Sequence, residues 1–193
     1  MTKKNNEEED ILLQNLLKLH QKLRSDVKHK RNRVLPFEEL LFDRWEKAKF
    51  LNGKKNSSVY HNNYIYGDVS LGEKTWVGPL TVLDGSGGKL KIGKFCSISS
   101  GVQIYTHHTV KWSLTGGKSK IEKGDVTIGN YCYIGPCTMV SKGVKIGNRC
   151  VIGANTLINK NIPSNSIVYG NPGQIIGKVK IKDSKVNFVY DEK

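Results

Sequence analysis

Two adjacent histidines, His107 and His108, are the residues of this chain best suited to chemistry near neutral pH. A neutral imidazole can take a proton from a hydroxyl while its oxygen attacks an electrophile. Successive residues of an extended backbone point to opposite sides, so we expect one of the two to face a given pocket, and we favour His107. Asp84 is a candidate either for orienting His107 or for orienting a substrate.

A period of six residues indicates the elements that position these histidines. A branched aliphatic residue returns at every sixth place, and a small or β-branched residue fills the fifth place of each hexad. Three sides of six residues make one turn of a parallel β-helix, which buries one aliphatic residue per face. The aliphatic positions are Val59, Ile65, Leu71, Val77, Leu83, Ile92, Ile98, Ile104, Ile128, Ile134, Val140, Ile146, Ile152 and Ile158. The fifth-place residues are Val69, Thr75, Thr81, Cys96, Val102, Cys132, Thr138, Val144, Cys150 and Thr156.

The glycines and cysteines fit the same register. We expect the glycine after an aliphatic residue to form a tight corner, where a backbone without Cβ is needed. Three cysteines hold fifth places and are expected to be buried, whereas Cys137 lies one place earlier and is expected to face outward. The sequence has no CxxC spacing, so a cysteine metal site is not expected. These glycines are Gly72, Gly78, Gly93, Gly129, Gly135, Gly147 and Gly153.

Two segments interrupt the period. The interval from Leu83 to Ile92 is three residues too long, and that from Ile104 to Ile128 is eighteen too long. Loops that leave a rigid scaffold often carry function. The longer excursion contains both histidines and Trp112, which could stack on a sugar or cofactor or anchor the excursion to a neighbouring subunit.

Helices are predicted before the repeats. Residues 7–31 form an amphipathic pattern with leucines at 12, 16, 19 and 23 on one stripe, and a second helix is predicted over 36–51. We expect them to cap the open end of the coil or to pack between subunits. After Ile158 the pattern predicts irregular wrapping without another turn, then a short terminal strand or helix over 179–189. The expected domains are therefore 1–58, 59–178 and 179–193.

The charge balance favours anionic partners. The 193 residues include 31 Lys plus Arg against 17 Asp plus Glu, a net charge of +14. The basic cluster at residues 18–33 lacks interleaved aromatic residues, which favours phosphate-bearing cofactors over nucleic acid. No stretch approaches the 18 apolar residues that a membrane span needs, and the first residues lack the pattern of a signal peptide. We therefore expect a cytoplasmic protein.

Residues 59–178 resemble the hexapeptide-repeat acyltransferases, and the segments ISSGVQIYTHHTVKW and IGANTLINKNIPSNSIVYGNPGQIIGK resemble the branch that acetylates sugars. The resemblance implies an all-β fold: a left-handed parallel β-helix with an N-terminal α-helical extension, assembled as a homotrimer. It implies that His107 is the general base, with Asp84, His108 and Trp112 near the substrate. It also implies acetyl-CoA as the acyl donor, without a metal, and backbone N–H groups as oxyanion donors. The cofactor-binding candidates are Gly135, Ser141, Gly153, Ala154, Lys160 and Lys178, of which Gly135 and Ser141 are also the oxyanion candidates.

The predicted function is transfer of an acetyl group from acetyl-CoA to a hydroxyl of a sugar, either a surface polysaccharide precursor or a nucleotide sugar. N-acetylation of an amino sugar is the nearest alternative. A zinc enzyme resembling γ-type carbonic anhydrase would use His61, His107 and His108, whose spacing suits tetrahedral coordination poorly. A third alternative is a non-catalytic basic β-helix that acts as a scaffold or binds nucleic acid through its N-terminal cluster.

Overall fold

The structure is a computed structural model that describes residues 3–191, with side chains from residue 7 onward. The outermost residues of the two expected terminal domains, 1–2 and 192–193, lie outside the described residues. Contacts within the chain divide it between Asp43 and Arg44 into a helical unit and a larger unit that carries the repeats. No helix in the described part of the chain combines the length and apolarity of a membrane span.

The helical unit consists of α1 (Lys3–Arg31) and α2 (Phe37–Leu41), which pack together through an edge contact of His20 on the Phe37 ring, with 5.0 Å between centroids. The predicted helix over 7–31 is confirmed. The single helix predicted over 36–51 is wrong, because Phe42 takes an extended conformation and α3 (Arg44–Lys49) starts afresh in the other unit.

The larger unit is a coil of short parallel strands. Tyr133 pairs with Val151, and Met139 with Leu157, so one turn takes 18 residues where no excursion intervenes. The strands, in chain order, are β1 (Ser58–Val59), β2 (Tyr64–Leu71), β3 (Trp76–Val77), β4 (Val82–Ile92), β5 (Ser97–Ile98), β6 (Gln103–Tyr105), β7 (His107–His108), β8 (Glu122–Lys123), β9 (Val126–Ile128), β10 (Tyr133–Ile134), β11 (Met139–Val140), β12 (Lys145–Ile146), β13 (Val151–Ile152), β14 (Leu157–Ile158), β15 (Ser166–Tyr169), β16 (Gln174–Lys182) and β17 (Lys185–Tyr190).

The strands form three faces around one core. One face is the sheet β1-β3-β5-β10-β13-β15, and the other two are joined into a second sheet because β2 and β4 run continuously around a corner. The predicted aliphatic positions are buried with the exception of Ile65, which is half-buried, and every fifth-place residue is at most 4% exposed. The hexad register predicted from the sequence is therefore confirmed, including three buried cysteines and the exposed Cys137.

The predicted need for a backbone without Cβ at the glycines after the aliphatic residues is confirmed, and its cause is lack of space between turns. A Cβ on Gly72 would lie 2.4 Å from the backbone nitrogen of Lys94 in the next turn, and one on Gly135 would lie 2.6 Å from that of Ala154. The corner itself is made by the fourth residue of the hexad, which has a positive φ at residues of many types, including Leu80, Tyr131 and Arg149. The left-handed backbone is costly for such residues, so the ladder of hydrogen bonds between turns must hold it.

The end of the coil differs from the prediction of irregular wrapping. Strand β15 pairs in parallel with β13 and extends one face by a further strand, and Ile162 bridges to Ile146 on another face. Strands β16 and β17 then form an antiparallel hairpin along β15. Of the strand or helix expected over 179–189, the structure shows strand, as part of this hairpin, which covers the edge of the sheet.

Candidate active site

The turn of β4 and β6 brings Asp84 beside His107. Asp84 pairs with Tyr105, and the Thr106 backbone N–H donates to the Asp84 carbonyl at 3.1 Å. The next residue, His107, places Nδ1 3.5 Å from the Asp84 Oδ2 atom. The Asp84 side chain is buried, whereas His107 is half-buried. The two excursions that the sequence singled out therefore meet, and Asp84 is the residue positioned to orient His107.

Ser86 and Thr106 hold this carboxylate and its backbone. Ser86 donates to Asp84 Oδ1 from its hydroxyl at 2.5 Å and from its backbone N–H at 2.9 Å, which leaves Oδ2 toward His107. The buried Thr106 hydroxyl donates to the Asp84 carbonyl at 2.8 Å and accepts from the Gly87 N–H at 3.0 Å. The sequence analysis missed Ser86 and Thr106, although both flank predicted site residues.

Gly87 leaves room for the imidazole. A Cβ at this position would lie 2.4 Å from the His107 Cβ and 2.6 Å from the Thr106 carbonyl oxygen. Any side chain here would therefore displace the backbone that carries His107. The glycines of LDGSGG indicate that another part of the backbone comes close to this segment. They do not indicate which part, because His107 lies 20 residues away in the chain.

His108 belongs to a different ionic cluster. It faces Glu122 across the antiparallel pair β7–β8, and its Nε2 lies 3.0 Å from Glu122 Oε2. The same carboxylate contacts Lys111 Nζ at 2.6 Å and Lys142 Nζ at 3.6 Å. The hydrogen bond from Lys111 and the nearby positive charges lower the pKa of Glu122, and that hydrogen bond raises the pKa of Lys111. Glu122 thus joins the excursion to the coil at Lys142.

A cleft of about 370 Å³ lies against both histidines. Its walls come from the start of the excursion on one side and from the turn after β11 on the other. Ser141 and Lys142 line the cleft together with the two histidines, and Lys142 contributes a positive charge to it. The lining residues are Tyr105, His107, His108, Thr109, Val110, Met139, Ser141 and Lys142. This arrangement can hold a small polar acceptor beside an oriented imidazole.

The remaining predicted site residues lie elsewhere. Trp112 is 46% exposed on the short helix α4 (Val110–Leu114) and lies outside the cleft lining. Lys160 donates to Gln174 at 3.3 Å, and Lys178 pairs with Ser166 near the end of the coil. The structure therefore gathers His107, His108 and Ser141 in one cleft with Asp84 behind His107, and leaves the other candidates outside its lining.

The small residues predicted to line the cofactor arm stack in consecutive turns. Gly135 and Ala154 lie against each other, and the Tyr169 ring covers Gly153 so closely that a Cβ there would be 2.3 Å from it. The N–H of Gly135 donates to Ile152 and that of Ser141 to Ile158, both within the coil. The predicted use of these two amides as oxyanion donors is therefore wrong, because each hydrogen is already engaged.

Comparisons with known proteins agree with the repeat and with the fold of the coil. Residues 125–160 match the family model described as bacterial transferase hexapeptide (six repeats). Residues 125–160 therefore carry the repeat that this model describes. The resemblance to hexapeptide-repeat acyltransferases predicted from the sequence is thereby confirmed.

Solved structures share the same coil over most of their length. A hexapeptide-repeat acetyltransferase from Vibrio cholerae O1 biovar eltor, complexed with acetyl coenzyme A, is 23% identical, with a TM-score of 0.63 over 83% of this chain and 89% of that one. A maltose O-acetyltransferase from Clostridium difficile 630 is 25% identical, with a TM-score of 0.62 over 86% and 89%. AntD, an N-acyltransferase from Bacillus cereus in complex with dTDP and 3-hydroxybutyryl-CoA, is 18% identical, with a TM-score of 0.57 over 71% and 88%. Each of these proteins is named for acyl transfer.

Proposed function

We propose that the hexapeptide-repeat protein transfers an acetyl group from acetyl-CoA to a hydroxyl of a sugar, with His107 as the general base. The observation that carries the proposal is the buried Asp84 carboxylate 3.5 Å from His107 Nδ1, beside an open cleft. A carboxylate at Nδ1 favours the tautomer with hydrogen on Nδ1, so that Nε2 is free to accept a proton. An imidazole held in this way is the group that acyl transfer to a hydroxyl requires.

In the proposed reaction the acceptor oxygen attacks the thioester carbonyl carbon while its proton passes to His107 Nε2. The tetrahedral intermediate carries a negative oxygen, for which Lys142 Nζ and the Ser141 hydroxyl, which both line the cleft, are the proposed partners. The carbon–sulfur bond then breaks, and the CoA sulfur takes the proton back from the imidazolium. The acetyl ester and the free thiol leave, and the imidazole is neutral again.

The acceptor and the assembly follow from the resemblance. We assign the coil a left-handed sense and the protein a homotrimeric assembly, in which the cofactor arm lies along the groove between coils near Gly135, Gly153 and Ala154. Lys160 and Lys178 are the proposed partners of the phosphates of CoA. The acceptor is a surface polysaccharide precursor or a nucleotide sugar, modified in the cytoplasm, where acetyl-CoA is available.

A second candidate is N-acylation of an amino sugar, and it is favoured by the similarity to the N-acyltransferase solved with dTDP. The same cleft would serve, because a neutral amine needs the same loss of a proton after attack. Mass spectrometry of the product before and after mild alkali separates the candidates, since an ester is hydrolysed and an amide survives.

The decisive test is the rate of CoA release with a panel of sugars, amino sugars and nucleotide sugars. His107→Ala is expected to lower kcat by about 10²- to 10⁴-fold with little change in KM for acetyl-CoA. His29→Ala, an exposed histidine of α1, is the matched control and should retain full activity. Full turnover in a folded His107→Ala protein would exclude this base, and failure of every acceptor together with the absence of acetyl-CoA binding would exclude the transferase.

A further inference from the structure

The helix α1 exposes a continuous apolar face that its own unit does not cover. Six aliphatic side chains in nine residues are between 41% and 69% exposed. Their neighbour α2 contacts α1 further along, where Phe37 meets His20. Most of the stability of a helix in water comes from packing of its apolar face, so this face requires a partner. We define the α1 face as Ile11, Leu12, Leu13, Leu16, Leu17 and Leu19.

The charges along α1 are divided between its two halves. Four of the five acidic residues of α1 lie at 7–10, before the α1 face, and all of its lysines and arginines except Lys3 and Lys4 lie from Lys18 to Arg31. Among the described residues, no ion pair involves Glu8 or Asp10. Two parallel copies of α1 would set acid against acid and base against base. Two antiparallel copies would set each acidic end against a basic half.

Single residues beside the α1 face also have opposite charges at positions that would meet in an antiparallel pair. Glu8 and Lys22 are two heptads apart, as are Asp10 and Arg24, so each pair shares one side of the helix. In an antiparallel pair of helices, a given side of one helix lies next to the same side of the other helix. Glu8 of one copy then approaches Lys22 of the other on one side, and Asp10 approaches Arg24 on the opposite side, with the leucines between them.

We propose that the α1 face is a self-association surface, on which a second copy of α1 packs in antiparallel orientation. Such an interface is isologous, so each α1 pairs with one other α1, and in the closed arrangement that we propose every α1 of one particle pairs with an α1 of the same second particle. The proposal does not depend on the enzymatic activity. It predicts that the wild-type particle contains twice as many chains as the particle formed when α1 cannot pair, whatever number of chains the coils themselves assemble.

The mass of the full-length protein in solution tests the pairing. Leu12→Gln with Leu16→Gln is expected to halve the particle mass measured by light scattering, with the thermal unfolding of the coil unchanged. The matched control, Ile181→Gln with Val186→Gln, removes two equally exposed aliphatic side chains of the terminal hairpin and should leave the mass unchanged. Equal masses for the wild type and the α1 variant would overturn the proposal, and binding of α1 to phosphatidylserine vesicles in that case would identify a membrane as its partner instead.

Charge reversal tests the complementarity. Two variants each reverse one half of the pattern: the acid-reversed variant carries Glu8→Lys with Asp10→Lys, and the base-reversed variant carries Lys22→Glu with Arg24→Glu. Each should give the half-mass particle, because the two ends that meet in the antiparallel pair then have the same sign of charge. Mixing the two variants restores attraction at both ends, and the full mass should return. A mixture that stays at half mass would refute pairing through these flanks.

Cross-linking tests the orientation in a background with the exposed Cys137 changed to Ser. Chains with Asp10→Cys, mixed with chains with Arg24→Cys, should form the mixed disulfide. A disulfide confined to two Asp10→Cys chains would show a parallel pair and would overturn the antiparallel arrangement.

Discussion

Replacing Asp84 by Asn tests the pairing with His107 at nearly constant volume. A unit-charge attraction at 3.5 Å is about 1 kcal/mol in water-like surroundings and about 5 kcal/mol at an effective dielectric constant of about 20. Asp84 is buried but His107 is half-buried, so we take an intermediate value of about 2–3 kcal/mol for the imidazolium that forms in the reaction. This corresponds to a loss of about 30- to 150-fold in kcat.

A second effect acts in the same direction. The Asn amide can donate to Nδ1, which fixes the proton on Nε2 and removes the base from the cleft. The loss can therefore approach that of His107→Ala. KM for acetyl-CoA should change little, because Asp84 lies behind the imidazole.

The assay is the initial rate of CoA release at saturating acetyl-CoA, with thermal unfolding measured in parallel. Asp68→Asn is the matched control, since Asp68 is an exposed acid on the neighbouring turn. Asp84→Asn with wild-type kcat and an intact fold would refute the argument that Asp84 orients the base. Equal losses in the Asp68 variant would show that the effect is general charge and not contact with His107.

Three further predictions follow from single contacts. Gly87→Ala should reduce kcat at least tenfold while the coil stays folded, because its Cβ would meet His107 at 2.4 Å; a fully active variant would show that the backbone yields freely. Because the pKa of Glu122 is lowered from its ordinary value of 4.5, its ion pairs stabilise the excursion fully above about pH 4.5. This contribution is lost as the pH falls through the lower pKa of the folded state. The protection factors of residues 107–123 against hydrogen exchange should therefore fall at low pH and in Glu122→Gln, and unchanged protection factors in both would contradict the role of the cluster. A thiol reagent should modify one cysteine of four in the folded protein, Cys137, and all four after denaturation; rapid labelling of a second would contradict the hexad register.

The fold could be predicted from the sequence because its core repeats at a fixed interval. Apart from the half-buried Ile65, each aliphatic and fifth-place residue is buried between the turns of the coil, so one register accounts for the repeats from Val59 to Ile158. The corner conformation could not be predicted, since the positive φ falls on residues as different as Leu80 and Arg149. At these positions the ladder between turns overrides local preference. The break between α2 and α3 at Phe42 also lacked a glycine or proline signal.

The site was predictable only where it interrupts the period. The two excursions identified His107, His108 and Asp84, and the structure shows that the first and third are in contact. Glu122 and Lys142 were not predicted, because Glu122 lies in the long excursion and Lys142 in a turn of the coil. Nothing in their spacing indicates that they meet. The amides of Gly135 and Ser141 were misjudged for a related reason. In a parallel coil each turn uses the N–H groups of its neighbour, so an oxyanion donor must come from a side chain or from a residue outside the ladder.

The two histidines differ in role because different carboxylates hold different ring nitrogens. Asp84, fixed on the coil by Ser86, holds His107 at Nδ1 and leaves Nε2 available. Glu122, carried by the excursion itself, holds His108 at Nε2, the nitrogen that would otherwise extend furthest from the backbone. His108 Nδ1 is buried without a hydrogen-bond partner among the described residues, so a substrate cannot reach it. In the proposed reaction His107 is thus the proton acceptor and His108 a structural anchor, and the difference comes from carboxylates 23 positions upstream of the first and 14 positions downstream of the second.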